Sequence, residues 1–182
     1  MKKLLSVFTI LSLFSFTSLA QNNTIALGVD AVILNDGYEN SNASFGPSLT
    51  FESAIGKKFS LQAKGAYLKN NLVEADDASI QMRIKNFETG VNFYPKAVHK
   101  GFFVGLDLAY TDVKYVLKSG SNSQSLTTPS QYFGGGLNLG FKTKVTNRIT
   151  FGTIAGIKVM ADTDLEEGLF NINIGANVGY KF

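Results

Sequence analysis

Cysteine and tryptophan are absent from this chain of 182 residues, and His99 is its single histidine. Without cysteine the protein can form no disulfide, no thiolate metal site and no lipidated cysteine at a mature N-terminus. One histidine also leaves little material for a catalytic acid–base pair, because histidine is the side chain most often used in that role. The sequence therefore predicts no cofactor, no metal site and no enzymatic activity.

The first 20 residues have the features of a secretory signal peptide. Two lysines precede an apolar run at 4–19, and the small residues Ser18 and Ala20 stand where a signal peptidase requires them. The run is shorter than the ~20 residues that a membrane-anchoring helix needs, and no stop-transfer flank follows it. We therefore expect cleavage after Ala20 and export through the inner membrane.

The segment that would remain, residues 21–182, is nearly neutral. Cleavage removes two of the 17 basic residues and none of the 14 acidic ones, so 15 basic residues face 14 acidic ones and the net charge is +1. The segment is long enough for one domain. No basic field is left to attract nucleic acid, which we exclude as a partner.

Apolar and polar residues alternate in eight segments of this remaining chain. The segments are 24–34, 44–55, 59–69, 80–94, 102–116, 131–143, 149–160 and 169–182. Each is about as long as a tilted membrane strand, and no apolar helix interrupts them. The pattern predicts an all-β fold, an eight-stranded antiparallel up-and-down transmembrane β-barrel.

The two faces of the segments decide which kind of barrel this is. Phe, Leu, Ile and Val occupy one face, while Gly, Asn and charged residues fill the other. In water the apolar face would need a second layer to cover it, and the sequence offers none. In lipid that face needs no cover, the polar face lines a narrow interior, and closure satisfies every strand edge. These features favour the cell outer membrane over a soluble, lipocalin-like barrel.

The connections alternate in length. Short turns at 56–58, 95–101 and 144–148 alternate with longer connections at 35–43, 70–79, 117–130 and 161–168. This is typical of outer-membrane barrels with the termini and short turns on the periplasmic side. One segment is irregular, because the apolar residues of its first part alternate out of phase with those of its second part. The first part contains Ile80, Met82 and Ile84, and the second contains Phe87, Val91 and Phe93. A bulge near residues 85–86 or an extension of the strand above the membrane would both explain it.

The last segment carries the most specific pattern, since apolar residues occupy every second position from Phe170 to the terminal Phe182. Over residues 21–182 the chain resembles the small OmpA/OmpX-type outer-membrane barrels and, more loosely, the PorT-like outer-membrane β-barrel domains. The resemblance implies that Tyr180 and Phe182 form the signal read by the barrel-assembly machinery. It also implies contact with outer-membrane lipid and lipopolysaccharide, and an unknown partner for the long loops. No periplasmic domain follows the barrel, so peptidoglycan anchoring is not expected.

Two functional classes stay open at this stage. The first is a structural or interaction role, in envelope integrity or loop-mediated adhesion. The second is a narrow pore or a transport- or secretion-associated barrel with a gated polar lumen. An eight-stranded interior is filled by side chains, which favours the first class. Glycines on the inward face, such as Gly28, Gly105 and Gly152, keep a thin water path open as the alternative.

Catalysis is the third class, and the sequence argues against it. Similar small barrels that modify lipid A place their catalytic groups toward the outer leaflet. His99 lies instead in a turn at the predicted periplasmic end, with no adjacent serine nucleophile. We interpret it as a solvated turn residue.

Charged residues on the inward face form the candidate site. Four carboxylates face four lysines there: Asp30, Glu52, Glu88 and Asp107 against Lys64, Lys142, Lys158 and Lys181. Matching Ile55 with Phe59 across the short turn places Glu52 diagonal to Lys64. This match predicts that the second and third strands pair in that register.

A second register prediction concerns the fourth and fifth strands. Matching Phe93 with Phe102 places Glu88 directly opposite Asp107. Two facing carboxylates in a poorly hydrated interior need a bridging lysine or a shared proton. We expect Lys64 to form the bridge, with Lys158 as the second choice. The predicted lumen charge cluster is Asp30, Glu52, Lys64, Glu88, Asp107 and Lys158, acting as a structural plug or as a gate.

Overall fold

A computed structural model describes residues 23–35, 42–75, 78–119, 122–125, 130–162 and 168–182. The expected signal peptide, residues 1–20, lies outside this part of the chain and stays a prediction. Within the described ranges, no helix is long and apolar enough to cross a bilayer.

The described residues form nine β-strands. They are β1 (Asn23–Asn35), β2 (Asn42–Ala54), β3 (Phe59–Ala75), β4 (Ala78–Phe93), β5 (Gly101–Ser119), β6 (Asn122–Ser125), β7 (Ser130–Lys144), β8 (Ile149–Asp162) and β9 (Gly168–Lys181). Eight of them are neighbours in the order β4-β3-β2-β1-β9-β8-β7-β5, and a β4–β5 pairing closes the ring. The short β6 pairs only with the end of β5. The predicted eight-stranded antiparallel barrel is confirmed.

The outer wall of the barrel is apolar. Large apolar side chains stand exposed at every second position, for example Leu27 at 71%, Phe102 at 73% and Val159 at 68% exposed. Between them the alternate residues are buried inside the ring, as seven buried positions alternating with six exposed ones along β8 show. A wall of this kind is stable in lipid, where apolar side chains need no cover. The predicted lipid-facing stripes are confirmed.

The two ends of the barrel differ. Turns at 55–58, 94–100 and 145–148 lie at one end, which we call the turn end. The termini of the described chain meet there, because the backbone amides of Asn23 and Phe182 each donate to the other residue's carbonyl, at 3.2 and 3.0 Å. At the opposite end, the loop end, β3 runs on to Ala75 and β4 begins at Ala78. The connection predicted at 70–79 is therefore mostly strand.

The irregular phase of β4 has a clear origin. Pairing continues without a bulge through residues 85–86, since Lys85 pairs with Tyr67 and Asp112 on its two sides. Met82 and Ile84 therefore face the lumen, where they are almost fully buried. They belong to an apolar cluster inside the loop end, formed by Val32, Leu34, Ala66, Leu68, Met82, Ile84, Ala109, Val113, Met160 and Leu169.

On β3 and β4 the outer wall around this apolar cluster carries charge instead of apolar residues. Lys69 and Lys85 are exposed there, on β3 and β4. On these two strands the polarity thus inverts toward the loop end, with apolar side chains inside and charged ones outside. The sequence left two explanations for the change of phase in β4. The predicted bulge near residues 85–86 is wrong, and the predicted extension of the strand above the apolar belt agrees with the structure.

Candidate functional site

A chain of four alternating charges crosses the middle of the lumen. Lys64 Nζ lies 2.8 Å from Asp30 Oδ2 and 3.1 Å from Glu88 Oε2. Lys158 Nζ reaches across from β8 and lies 2.9 Å from Glu88 Oε1. All four side chains are at most 5% exposed, so their mutual attraction is only weakly screened by water. Two cations balance two carboxylates, so these four residues together carry no net charge.

Backbone pairing explains why these residues meet. Lys64 and Glu88 are direct partners across β3 and β4. Asp30 lies on β1 between Gly46 and Gly175 of the neighbouring strands. A side chain at Gly175 would collide with the Asp30 carboxylate, so glycine there leaves room for Asp30 to reach inward. Hydrogen bonds complete the layer: Ser48 Oγ donates to Asp30 at 3.1 Å, and Asn86 Nδ2 donates to Glu88 at 2.6 Å.

Asp107 lies beside this chain of charges and is not part of it. Its side chain is buried and accepts a hydrogen bond from the amide of Asn138. Within the described residues, no lysine or arginine nitrogen lies within salt-bridge distance of Asp107.

The predicted β4–β5 register is wrong by two residues. Phe93 pairs with Val104, so Glu88 stands opposite Ala109 and Asp107 stands opposite Gly90. The bridge therefore joins Glu88 to Asp30, and not to Asp107. The β2–β3 register is confirmed, because Ala54 pairs with Ser60 and Glu52 with Gln62. The difference lies in the connections: a tight turn fixes one pairing, whereas the turn at 94–100 folds in a way that alternation cannot show.

A second polar layer fills the turn end around Glu52. Its carboxylate forms a salt bridge with Lys142 and lies 3.3 Å from Nε2 of His99. Tyr94 donates its hydroxyl to Glu52 at 2.7 Å. Further hydrogen bonds come from Ser60 and Asn92. Lys64, which the sequence placed within reach of Glu52, is committed to Asp30 and Glu88.

His99 is buried, with 1% of its surface exposed, and its predicted solvated position is wrong. The turn folds back into the barrel mouth, because His99 and Gly101 adopt positive φ angles of 61° and 87° and Ala97 pairs with Lys100. Glycine adopts such a conformation freely, whereas a histidine there is held by its surroundings. The ring of His99 also lies 3.4 Å from Thr24 Oγ1.

Tyr94 closes the turn end and was missed in the sequence. It is fully buried, and its ring packs 5.1 Å from that of Phe103. Burial, together with the Glu52 charge, raises the pKa of the Tyr94 phenol, so the hydroxyl remains a hydrogen-bond donor. A signal for Tyr94 existed, because it continues the inward phase of Glu88 and Asn92 on β4. No comparable signal existed for His99.

Along the described strands these layers fill the lumen, because most of the inward side chains are buried. A void bordered by Asp30, Lys64, Lys142 and Phe103 measures about 10 Å³. That is the space of about one water molecule. Above the charged layer the apolar cluster follows, and below it the Glu52 layer. The arrangement is suited to holding strands together and leaves little room for a substrate.

The residues of the expected assembly signal lie on the outer wall at the turn end. Tyr180 and Phe182 are exposed at 42% and 55%. Arg148 Nη1 donates to the Tyr180 hydroxyl at 3.1 Å. Lys181, which alternates with them, stands at the mouth and is only partly buried. Recognition of this terminus by the assembly machinery stays a prediction.

A closed barrel with an apolar outer wall and a filled, charged lumen defines the class of small outer-membrane β-barrel proteins. The family described as "protein of unknown function (DUF3575)" matches residues 7–162, and the chain belongs to that family. Among proteins with curated descriptions, none matches this sequence at a significant level.

Solved structures of the same fold come from several Gram-negative bacteria. Ail, the attachment invasion locus protein of Yersinia pestis, has a TM-score of 0.59 and 15% identity, over 89% of this chain and 99% of Ail. Neisserial surface protein A has a TM-score of 0.57 and 13% identity, over 88% and 97%. The N-terminal barrel domain of Pseudomonas aeruginosa OprF has a TM-score of 0.51 and 13% identity, over 89% and 100%. These similarities establish the fold.

Proposed function

We propose that this protein is a non-catalytic outer-membrane barrel with a structural or interaction role, in envelope integrity or loop-mediated adhesion. The filled lumen is the observation that carries the proposal. Ion pairs and hydrogen bonds there join strands that are not neighbours, such as β4 to β8 through Glu88 and Lys158. Such contacts stiffen a barrel whose loops then act as the part that meets other molecules.

A catalytic role is disfavoured because a substrate could not reach the candidate residues. Thr24, His99 and Glu52 lie close together, in an order that would suit a nucleophile, a base and an orienting acid. However, each is at most 1% exposed, and Tyr94 covers the same mouth. A substrate would have to displace that packing before it met the hydroxyl of Thr24.

The name and one bound ligand of a structurally similar protein, Ail, support an interaction role. Ail is named for attachment and invasion, and one of its structures holds the heparin analogue sucrose octasulfate. By analogy, the long loops of this chain would bind partners outside the cell. Lipopolysaccharide and the barrel-assembly machinery are the further partners that we propose.

Loop replacement tests the interaction role. The connections 36–41 and 163–167 would each be replaced by a two-residue turn, with replacement of the exposed turn at 145–148 as the matched control. We expect the loop variants to fold, to reach the surface and to lose adhesion, while the control keeps it. Normal adhesion and normal detergent resistance, in the loop variants and in a strain lacking the protein, would refute the proposal.

A gated pore is the second candidate. Lys142 and Lys158 hold their carboxylates across the lumen, so an exchange of partners would open a gap between β4 and β8. Planar-bilayer recordings distinguish the two candidates. Steady, ion-selective openings that change when Lys158→Met is introduced would favour the pore, whereas electrically silent bilayers with correctly folded protein favour the structural role.

A further inference from the structure

The outer wall at the loop end carries a one-sided patch of positive charge. We propose that this patch, formed by Lys69, Arg83, Lys85 and Lys114 on β3–β5, binds the phosphate groups of lipopolysaccharide in the outer leaflet. The inference rests on the proposed function and on the orientation that it assumes, with the loop end of the barrel facing the outside of the cell. It deepens that proposal by naming the residues that would contact the lipid.

Three of the cations form one row across adjacent strands. Lys69 pairs with Arg83 across β3 and β4, and Arg83 pairs with Lys114 across β4 and β5. Neighbouring strands lie about 4.8 Å apart, so the row spans roughly 10 Å from end to end. Lys85 stands one outward position below it, between Tyr67 and Asp112. The four residues thus lie within an area that one phosphorylated headgroup covers.

Two of the four cations contact neutral groups. Arg83 Nε donates to Oε1 of Gln81 at 2.9 Å, and Gln81 Nε2 donates to Asn71 at 3.0 Å. Lys69 Nζ lies 5.1 Å from the centre of the Tyr67 ring. Among the residues described, none of the four cations has a carboxylate within salt-bridge distance. The described part of the chain therefore supplies no ion-pair partner for these cations, and an anion from outside could fill that role.

The charge is unbalanced and confined to one side. Asp112 is the acidic residue that faces outward among the described side chains of β3–β5 at this end, so four positive charges stand against one negative charge. The outward residues at the same end of the other described strands are uncharged: Ala43, Phe45, Gln131, Ala161 and Phe170. A general solvated rim would distribute charge around the ring, whereas this patch singles out one face.

The height of the patch matches a lipid headgroup. The outward row below Lys85 contains Phe87 and its partner Tyr110, which with Phe133 are the topmost exposed aromatic residues of the apolar belt on these strands. Two to four residues along a strand tilted by about 40° raise the cations roughly 5–10 Å above that belt. Lipid phosphates lie at this depth, at the border between acyl chains and sugars. Cations at this height on the outer wall stand beside the lipid phosphates, which favours a lipid headgroup over a soluble polyanion.

Binding of fluorophore-labelled, phosphorylated lipid A to the refolded barrel in zwitterionic micelles tests the inference by fluorescence anisotropy. Two double variants, Arg83→Gln/Lys114→Gln and Lys69→Gln/Lys85→Gln, are compared with the turn-end control Lys57→Gln/Lys58→Gln. Each cation near an anionic surface contributes about fivefold, so each double variant should bind roughly 25-fold more weakly. The control should stay within about twofold of the wild type.

Two further arms separate the sources of the signal. Dephosphorylated lipid A should bind the wild type as weakly as it binds the variants, and added salt should reduce binding of the phosphorylated form. Should a double variant fail to fold, the charge-retaining Arg83→Lys/Lys114→Arg replaces it and should keep binding. Equal binding of phosphorylated and dephosphorylated lipid, or wild-type binding by a folded double variant, would overturn the inference. So would variant-sensitive binding of heparin without any of lipid A. None of these results depends on adhesion or conductance, so the inference and the proposed function fail separately.

Discussion

Lys64 holds two buried carboxylates, and its replacement by methionine tests the charged layer of the lumen. Methionine keeps most of the volume of the side chain while removing the charge that Asp30 and Glu88 share. Glu88 would still be held by Lys158 at 2.9 Å, whereas Asp30 would keep only the hydroxyl of Ser48 among the contacts described. The cost should therefore fall mainly on Asp30.

The size of the effect follows from the distances. At 2.8 and 3.1 Å, with an effective dielectric constant of about 20, each attraction is worth about 5–6 kcal/mol before desolvation is counted. Burial of the ammonium offsets much of this, and removing one partner of a buried pair typically costs about 3–5 kcal/mol. We expect Lys64→Met to lower the free energy of unfolding by about 3 kcal/mol, because Glu88 keeps its second lysine.

Urea unfolding of the barrel in lipid vesicles measures this loss, read from the faster gel mobility of unboiled, folded protein. Adding Asp30→Asn to Lys64→Met should recover much of the stability, since it removes the stranded charge. Adding Asp107→Asn should recover little, since Asp107 is bonded to Asn138. The exposed control Lys57→Met should change stability by less than about 0.5 kcal/mol. Rescue by Asp107→Asn and none by Asp30→Asn would refute the assignment of partners.

Three further changes can be checked by the same unfolding assay or by fractionation. Gly156→Ala would press against two lumen asparagines and should cost about 1–3 kcal/mol, whereas Gly65→Ala meets nothing within 4 Å and should be neutral; equal effects would contradict the packing. Tyr94→Phe should cost about 1.5–3 kcal/mol through its lost bond to the Glu52 carboxylate, and wild-type stability would argue against that bond. Deleting Phe182 should leave chain in the periplasm while Phe182→Tyr is mild, and normal insertion of the deletion would show that the terminus is not the assembly signal.

The outer wall of the barrel was predictable from the sequence because lipid imposes one simple rule. Every second residue must be apolar, and residues such as Leu27 and Phe102 obey it. The same alternation fixed the β2–β3 register, since the turn between Ala54 and Phe59 is too short for slippage. Where the strands leave the lipid the rule ends, and β4 changes phase at Met82 and Ile84 for that reason.

The sequence predicted which residues face the lumen, but it did not predict which of them contact each other. Alternation correctly lists which charged residues face inward, but Lys158 and Lys142 bind carboxylates across the lumen, where no ladder links the strands. His99 illustrates a second limit. Its burial depends on a turn that folds back with a positive φ, and the sequence of such a turn carries no periodic signal. Long-range partners and folded-back turns therefore require the structure.

Thiol accessibility across the barrel wall tests the central claim, a lipid-facing exterior around a filled lumen. The chain has no native cysteine, so single substitutions give unambiguous labelling. Ser48→Cys and Ala109→Cys place a thiol in the lumen, Leu106→Cys on the outer wall and Lys57→Cys in an exposed turn, according to their burial. In lipid vesicles we expect the lumen thiols to resist a water-soluble methanethiosulfonate. The Leu106→Cys thiol should react only with a lipid-soluble maleimide, and the turn thiol should react with both reagents. Lumen thiols that react with the water-soluble reagent as fast as the turn thiol would contradict the account, because they would line an open, water-filled channel.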